Sequence, residues 1–181
     1  MSKKPPKRQH VYNRINAYRF LKKLSAIQTP QEQFYYLRGL DAFVFEEMIL
    51  TCLKRRGFNI IRNDGYTNDG GIDGRAYYKD QHYLIQAKRY SGHIKAGDID
   101  EFAKICKRRK GRGLFVHTGK TGAKAKENAK SKGVEVVSGV RLLDLLLSAD
   151  PKDQSSKLIK LTRIANAVFI ASDPARDQTS I

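Results

Sequence analysis

The chain has 181 residues, enough for one domain with a sizeable core and terminal decoration, and its length does not demand a second domain. Its 35 Lys and Arg against 18 Asp and Glu leave a formal net charge of +17, more than solubility needs, so a polyanion is the expected partner and nucleic acid the first candidate. No window approaches about 18 consecutive apolar residues, which excludes a spanning helix, and the charged opening MSKKPPKRQH has no apolar stretch behind it and so is not a secretory signal.

That opening reads as a solvated tail. Residues 3–23 hold eight Lys or Arg and no acid, with Tyr12, Tyr18 and Phe20 interleaved. They predict a basic arm, helical from about Val11, with a sparse apolar stripe of Ile15, Tyr18 and Leu24. TPQEQ reads as a break. DAFVFEEMILTCLKRR then spaces Phe45, Met48, Ile49, Cys52 and Leu53 along one helix face, with Asp41 as N-cap and Gly57 as stop. Cys52 and Cys106 sit in separate helical patterns with no C-x-x-C spacing, so they are expected as small core residues of a protein in the reducing cytoplasm.

FNII is a predicted strand, followed by the turn-rich RNDGYTNDGG. IDGRAYYK and QHYLIQAKRY are predicted strands joined at Lys79 and Asp80, a weak turn pair that leaves the loop type open. A turn centred there puts Asp73 directly opposite Gln86, whether the loop has two residues or four. Alternation places Lys88 on the same face and turns Ala87 away into packing. GDIDEFAKICKRRK is a helix opened by Asp98 with Glu101 three residues on, burying Ile99, Phe102, Ala103 and Cys106. The strand GLFVHT, a helix capped at Thr121, the strand VEVV and the helix GVRLLDLLL follow, and residues after 149 suggest one more helix. Strands alternating with helices predict an α/β domain with a mixed central sheet flanked by helices.

An acid, an amide oxygen and an ammonium on one strand face suit a hard cation beside a phosphodiester, although a D…Q-x-K pattern is also what an ordinary exposed hairpin face can carry. GLFVHTGKT invites a nucleotide-loop reading, but five residues rather than four separate Gly113 from Gly119. Lys120 is either a phosphate contact near a helix start or a solvated lysine. His93 and His117 lack ligand spacing; the first reads as a loop residue, the second as a core or strand-edge residue. Arg89, Lys95, Lys104 and the run Lys107 to Arg109 are candidates for a phosphate-binding face.

In their order, FEEMILTCLKRRGF, NDGGIDG, LIQAKRY, GLFVHTGKTGAKAKENA and VEVVSGVRLLDLL resemble the catalytic domain of the Mrr-like restriction endonucleases, in the PD-(D/E)xK nuclease superfamily, over roughly residues 39–147. The resemblance implies a restriction-endonuclease-like core that hydrolyses DNA with Mg²⁺ or Mn²⁺. It also implies roles for individual residues: Asp73 as a metal ligand, Gln86 and Lys88 as the Q-x-K form of the usual E-x-K pair, and Glu46 as the helix carboxylate. Asp69 either supports the Gly70–Gly71 turn or stands behind the ligands. The organisation expected is a basic arm over 1–38, a nuclease-like domain over 39–148 and a helical tail over 149–181. The competing expectation is a DNA-binding module that keeps the fold without cleavage, serving a plasmid or mobile element. A third, resting on the arm alone, is an RNA-binding protein. Cutting both strands would need two active sites, hence a homodimer.

Overall fold

The central sheet changes character at its middle strand. In the computed structural model, which describes residues 7–63 and 70–148, the strands β1 (Asn59–Arg62), β2 (Gly74–Tyr78), β3 (Gln81–Lys88), β4 (Arg112–His117) and β5 (Val134–Val137) lie side by side in chain order. β1, β2 and β3 pair antiparallel, whereas β3, β4 and β5 pair parallel. Parallel neighbours need a crossover, and α4 (Ala96–Arg108) and α5 (Ala123–Ser131) supply the two. The mixed α/β sheet expected from the alternating pattern is the observed architecture.

Alternation along β3 and β4 divides the core. Ile85, Ala87, Leu114 and Val116 join a cluster with α1 (Lys7–Ser25), α2 (Pro30–Gly39), α3 (Ala42–Arg55) and α6 (Val140–Leu147). Leu84 and Phe115 turn to the other side and pack with Ile99, Phe102 and Cys106 of α4 and Ala129 of α5. Both cysteines are buried free thiols, as expected of core residues. Arg56, just past α3, donates to the carbonyls of Leu145, Asp144 and Ser148, satisfying acceptors that the end of α6 leaves over. Among the described residues no helix is long and apolar enough to cross a membrane.

Asp41 caps α3 as expected, its carboxylate accepting from the N–H groups of Phe43 at 2.9 Å and Val44 at 3.2 Å. Four local expectations need correction. In α1, Ile15 and Tyr18 are exposed; the face in the core is Asn13, Asn16, Ala17, Leu21 and Leu24, so two amides and an alanine hid the stripe. TPQEQ does not break the chain but begins α2: Thr29 Oγ1 accepts from Glu32 N and donates to Glu32 Oε2, with Pro30 in the first turn. Asp98 is not the cap of α4, which starts at Ala96 after Lys95. Thr121 is not the cap of α5, where Gly122 occupies that position. The suggested helix after residue 149 lies outside the described residues.

The hairpin register is the expected one, with Gly74 opposite Ile85 and Tyr78 opposite Gln81. Lys79 and Asp80 form a two-residue connection with φ of +47° and +61°, the doubly left-handed backbone of a type I′ turn. Neither residue suits it, so replacing the pair by Asn-Gly (Lys79→Asn with Asp80→Gly) should raise stability by about 1 kcal/mol in urea denaturation. An unchanged midpoint would contradict the turn.

His117 is fully buried at the end of β4. Its Nδ1 accepts from Gly119 N at 3.0 Å, which leaves Nε2 as the protonated nitrogen, 2.8 Å from Thr121 Oγ1. Burial, with Lys126 nearby, pushes the imidazole from 6.5 down to about 4. The unfolded chain therefore takes up this proton first as pH falls. The group's contribution, about 2–3 kcal/mol, is complete above 6.5 and is lost as pH drops toward 4. Stability should fall over that window, and the His117 ring should titrate far below an ordinary histidine by NMR; a midpoint near 6.5 would refute this.

Candidate functional site

The site begins where the β2–β3 ladder ends. Asp73 immediately precedes β2, and its backbone N–H donates to Ile85 O at 2.8 Å. Its side chain then takes over from the ladder: Oδ2 accepts from Ala87 N at 2.6 Å. The carboxylate is thereby pinned against β3 beside Gln86, in the register the hairpin predicts. A close glycine approach makes this possible, since a Cβ on Gly74 would stand 2.7 Å from Leu50 Cδ2 of α3.

Two consecutive glutamates on α3 have different fates. Glu47 is buried and accepts from Arg62 Nε at 2.8 Å, an ion pair that fastens α3 to β1. Glu46 is held as the neutral acid, pushed up to about 9 by burial first and then by the charges of Asp73, Asp41 and Glu47, with Arg89 opposing. The structure thus brings Glu46 within electrostatic reach of Asp73.

Gln86 and Lys88 leave β3 on the α4 side. Gln86 is 9 % exposed, and its Nε2 donates to Gly71 O at 2.8 Å. Gly71 has φ +78°, and a Cβ there would lie 3.0 Å from Ile105 Cδ1, so this carbonyl reaches the amide only from a glycine. Bonding to a carbonyl fixes which end of the amide is the nitrogen; the other end, Oε1, is buried with no hydrogen-bond partner among the described residues. Lys88 Nζ donates to Asp98 Oδ1 at 2.8 Å, and Tyr90 Oη donates to Asp98 Oδ2. Lys88 and Tyr90, with Asp98 from the first turn of α4, thus form one cluster; Asp98 was misread as a cap, and Tyr90 carried no signal of its own in the sequence.

The basic candidates separate as well. Arg89 donates to the carbonyls of Arg38, at 3.0 Å, and Leu40. Arg38 returns the favour, donating to Tyr90 O at 3.1 Å and Thr118 O at 3.0 Å, so Arg89 belongs to a clamp between the end of α2 and the end of β3. Lys95 and Lys120 are exposed. Gly119 in the GKT stretch is explained by packing: a Cβ there would meet Gly92 O at 2.5 Å, and Lys120 N donates to that same carbonyl. Asp69 lies outside the described residues.

Among the described residues no three His, Cys, Asp or Glu side chains gather as a metal cage. The donor set that is present fits a divalent cation nonetheless. Asp73 and Glu46 are two carboxyl groups whose mutual repulsion helps hold one of them protonated, and Gln86 Oε1 is a buried oxygen acceptor lacking a donor among those residues. Hard oxygen ligands of this kind are what Mg²⁺ and Mn²⁺ take.

Comparison with known proteins agrees with the architecture. A family model for a restriction endonuclease domain, Mrr_cat, matches residues 37–146. No curated protein matches. Among solved structures, the chain is similar to the crystal structure of AF1548, a protein of unknown function, with a TM-score of 0.48 and 15 % identity over 71 % of this chain and 79 % of that one. It is also similar to Pyrococcus furiosus SfsA in complex with Ca²⁺, with a TM-score of 0.36 and 17 % identity over 52 % and 54 %. With the family match running from the end of α2 through the hairpin and both crossovers to α6, the chain belongs to the Mrr_cat family of restriction endonuclease domains.

Proposed function

We propose that this chain is an endonuclease that hydrolyses DNA phosphodiester bonds with a divalent metal. Family membership supports nuclease chemistry, and the observation that carries the rest is Asp73 within electrostatic reach of Glu46, next to the strand residue Gln86, whose Oε1 is buried without a donor among the described residues. Those three residues would hold the cation, Mg²⁺ or Mn²⁺. What such an ion supplies when bound is positive charge for the phosphate oxygens and an acidified water. Asp73 is held for the task by the Ala87 N–H, and Gln86 by Gly71, so neither has to reorganise to act as a ligand. Glu46 must give up its proton, which a cation beside it favours. Lys88, 35 % exposed, retains ammonium protons beyond the one given to Asp98, with which to position or activate the attacking water or to neutralise the phosphate.

The net charge of +17 supports DNA as the substrate, with Lys95 and Lys120 as phosphate contacts on the exposed surface. Arg89 contributes to that surface only through the Arg38 clamp. Severing both strands would take two copies of the chain. The second reading, a DNA-binding module without turnover, is favoured by the neutral amide at Gln86.

Purified protein should cut plasmid, single-stranded or branched DNA in the presence of Mg²⁺ or Mn²⁺ and stop on chelation. Asp73→Ala and Lys88→Ala should each lower the rate by about 100-fold or more while salt-dependent DNA binding persists. Binding with no cutting of any substrate would establish the second reading, and preference for structured RNA over duplex DNA in competition would overturn both.

A further inference from the structure

The ammonium of Lys88 ends a long flexible stem, and whatever work it does depends on where Nζ is held. Asp98 holds it. The carboxylate serves two donors with its two oxygens, Oδ1 to Lys88 Nζ at 2.8 Å and Oδ2 to the hydroxyl of Tyr90, so it cannot rotate without breaking one bond. Tyr90 is itself fixed in three ways. Its backbone N–H donates to Thr118 Oγ1 at 2.9 Å, and its carbonyl accepts from Thr118 Oγ1 and from Arg38 Nε. Its ring stands edge-on to buried His117, with centroids 5.8 Å apart. The anchor is therefore built from β3, the segment after it, the first turn of α4 and the turn after β4, and only its last link, Lys88, reaches toward the proposed site. Asp98 is not the N-cap of α4, which is Lys95 and makes no side-chain cap bond; it stands in the first turn, where a carboxylate also suits the helix dipole.

Resting on the cleavage reading of Lys88, we propose that Asp98, backed by Tyr90, is a positioning residue that fixes the Lys88 ammonium for the reacting phosphate. The pair also neutralises the Asp98 carboxylate, which would otherwise repel a phosphate approaching Lys88. Because an ammonium has three donors, the bond to Asp98 leaves two for water and phosphate. Positional errors of about 1 Å at such a group cost on the order of 100-fold in rate, and a fixed anchor removes them.

The test uses the full-length protein and two readouts. In ¹⁵N-labelled protein the Lys88 ammonium, assigned by its loss in Lys88→Gln, should give a protected resonance that disappears in Asp98→Asn and weakens in Tyr90→Phe. With saturating DNA and Mg²⁺, kcat should fall about 10- to 100-fold in Asp98→Asn and less in Tyr90→Phe, with DNA Kd and melting temperature unchanged, and Asp98→Glu should recover part of the loss. Asp98→Asn is isosteric, and the unchanged melting temperature separates positioning from misfolding. A resonance indifferent to Asp98→Asn, or full cutting by that variant, overturns the proposal. Should the unmodified protein cut nothing while the resonance still depends on Asp98, the nuclease reading fails and the anchor itself stands.

Discussion

A strand covered on both faces makes an unpaired polar group costly, and β3 carries two polar side chains near its end. Its neighbours β2 and β4 consume the backbone ladder, α3 covers Ile85 and Ala87, and α4 covers Leu84, so buried Gln86 must find a partner inside the fold and half-buried Lys88 finds one in α4. Gln86 takes Gly71 O and Lys88 takes Asp98, and each choice adds a polar tie to a segment that Ile72 or Ile99 already packs into the core. The turn before β2 and the first turn of α4 are held to the sheet edge in this way. The candidate site is thus a by-product of satisfying a buried strand, and its rigidity comes from the same bonds.

This explains what the sequence revealed and what it hid. Register was legible because a hairpin is local: the turn at Lys79 and Asp80 determines every partner up to Asp73, and alternation then assigns the faces. The helix faces of α3 and α4 were legible because their buried positions are strongly apolar, from Phe45 to Leu53 and from Ile99 to Cys106. The stripe of α1 was not, because Asn13, Asn16 and Ala17 occupy buried positions where a hydrophobic pattern is sought. The start of α2 could have been read, since Thr29 with Glu32 three residues on is an N-terminal signature; the turn-like Pro30 obscured it.

Asp98 and Thr121 fail for a single reason. Both look like caps because local rules reward a short polar side chain before an apolar helix face. A long-range partner outbid the cap in each case: half-buried Lys88 and Tyr90 for Asp98, and buried His117 for Thr121, whose hydroxyl also meets Ser138 Oγ at 3.0 Å. A free helix N–H can turn to water at the surface, whereas an interior imidazole cannot, so the long-range bond wins. In the family resemblance, order of elements carried more information than any motif, and the pairing of Lys88 with Asp98 lay beyond both.

Gln86 is where the two demands on β3 meet. A carboxylate at this position would have no proton to donate to Gly71 O, and the turn ahead of Asp73 would lose its tie to the strand. It would also add an acid near Asp73 and Glu46, where burial, with the Asp73 charge behind it, already raises Glu46 to about 9. The amide answers both problems, because its nitrogen fastens the turn and that bond forces the oxygen to face the other way, buried and without a donor among the described residues. One orientation of one side chain therefore serves the fold with Nε2 and, in the proposed site, would offer Oε1 to a cation. In the proposed site the charge surrendered by having Gln rather than Glu is replaced from α3, through Glu46, whose perturbed state comes from burial first and from Asp73 second.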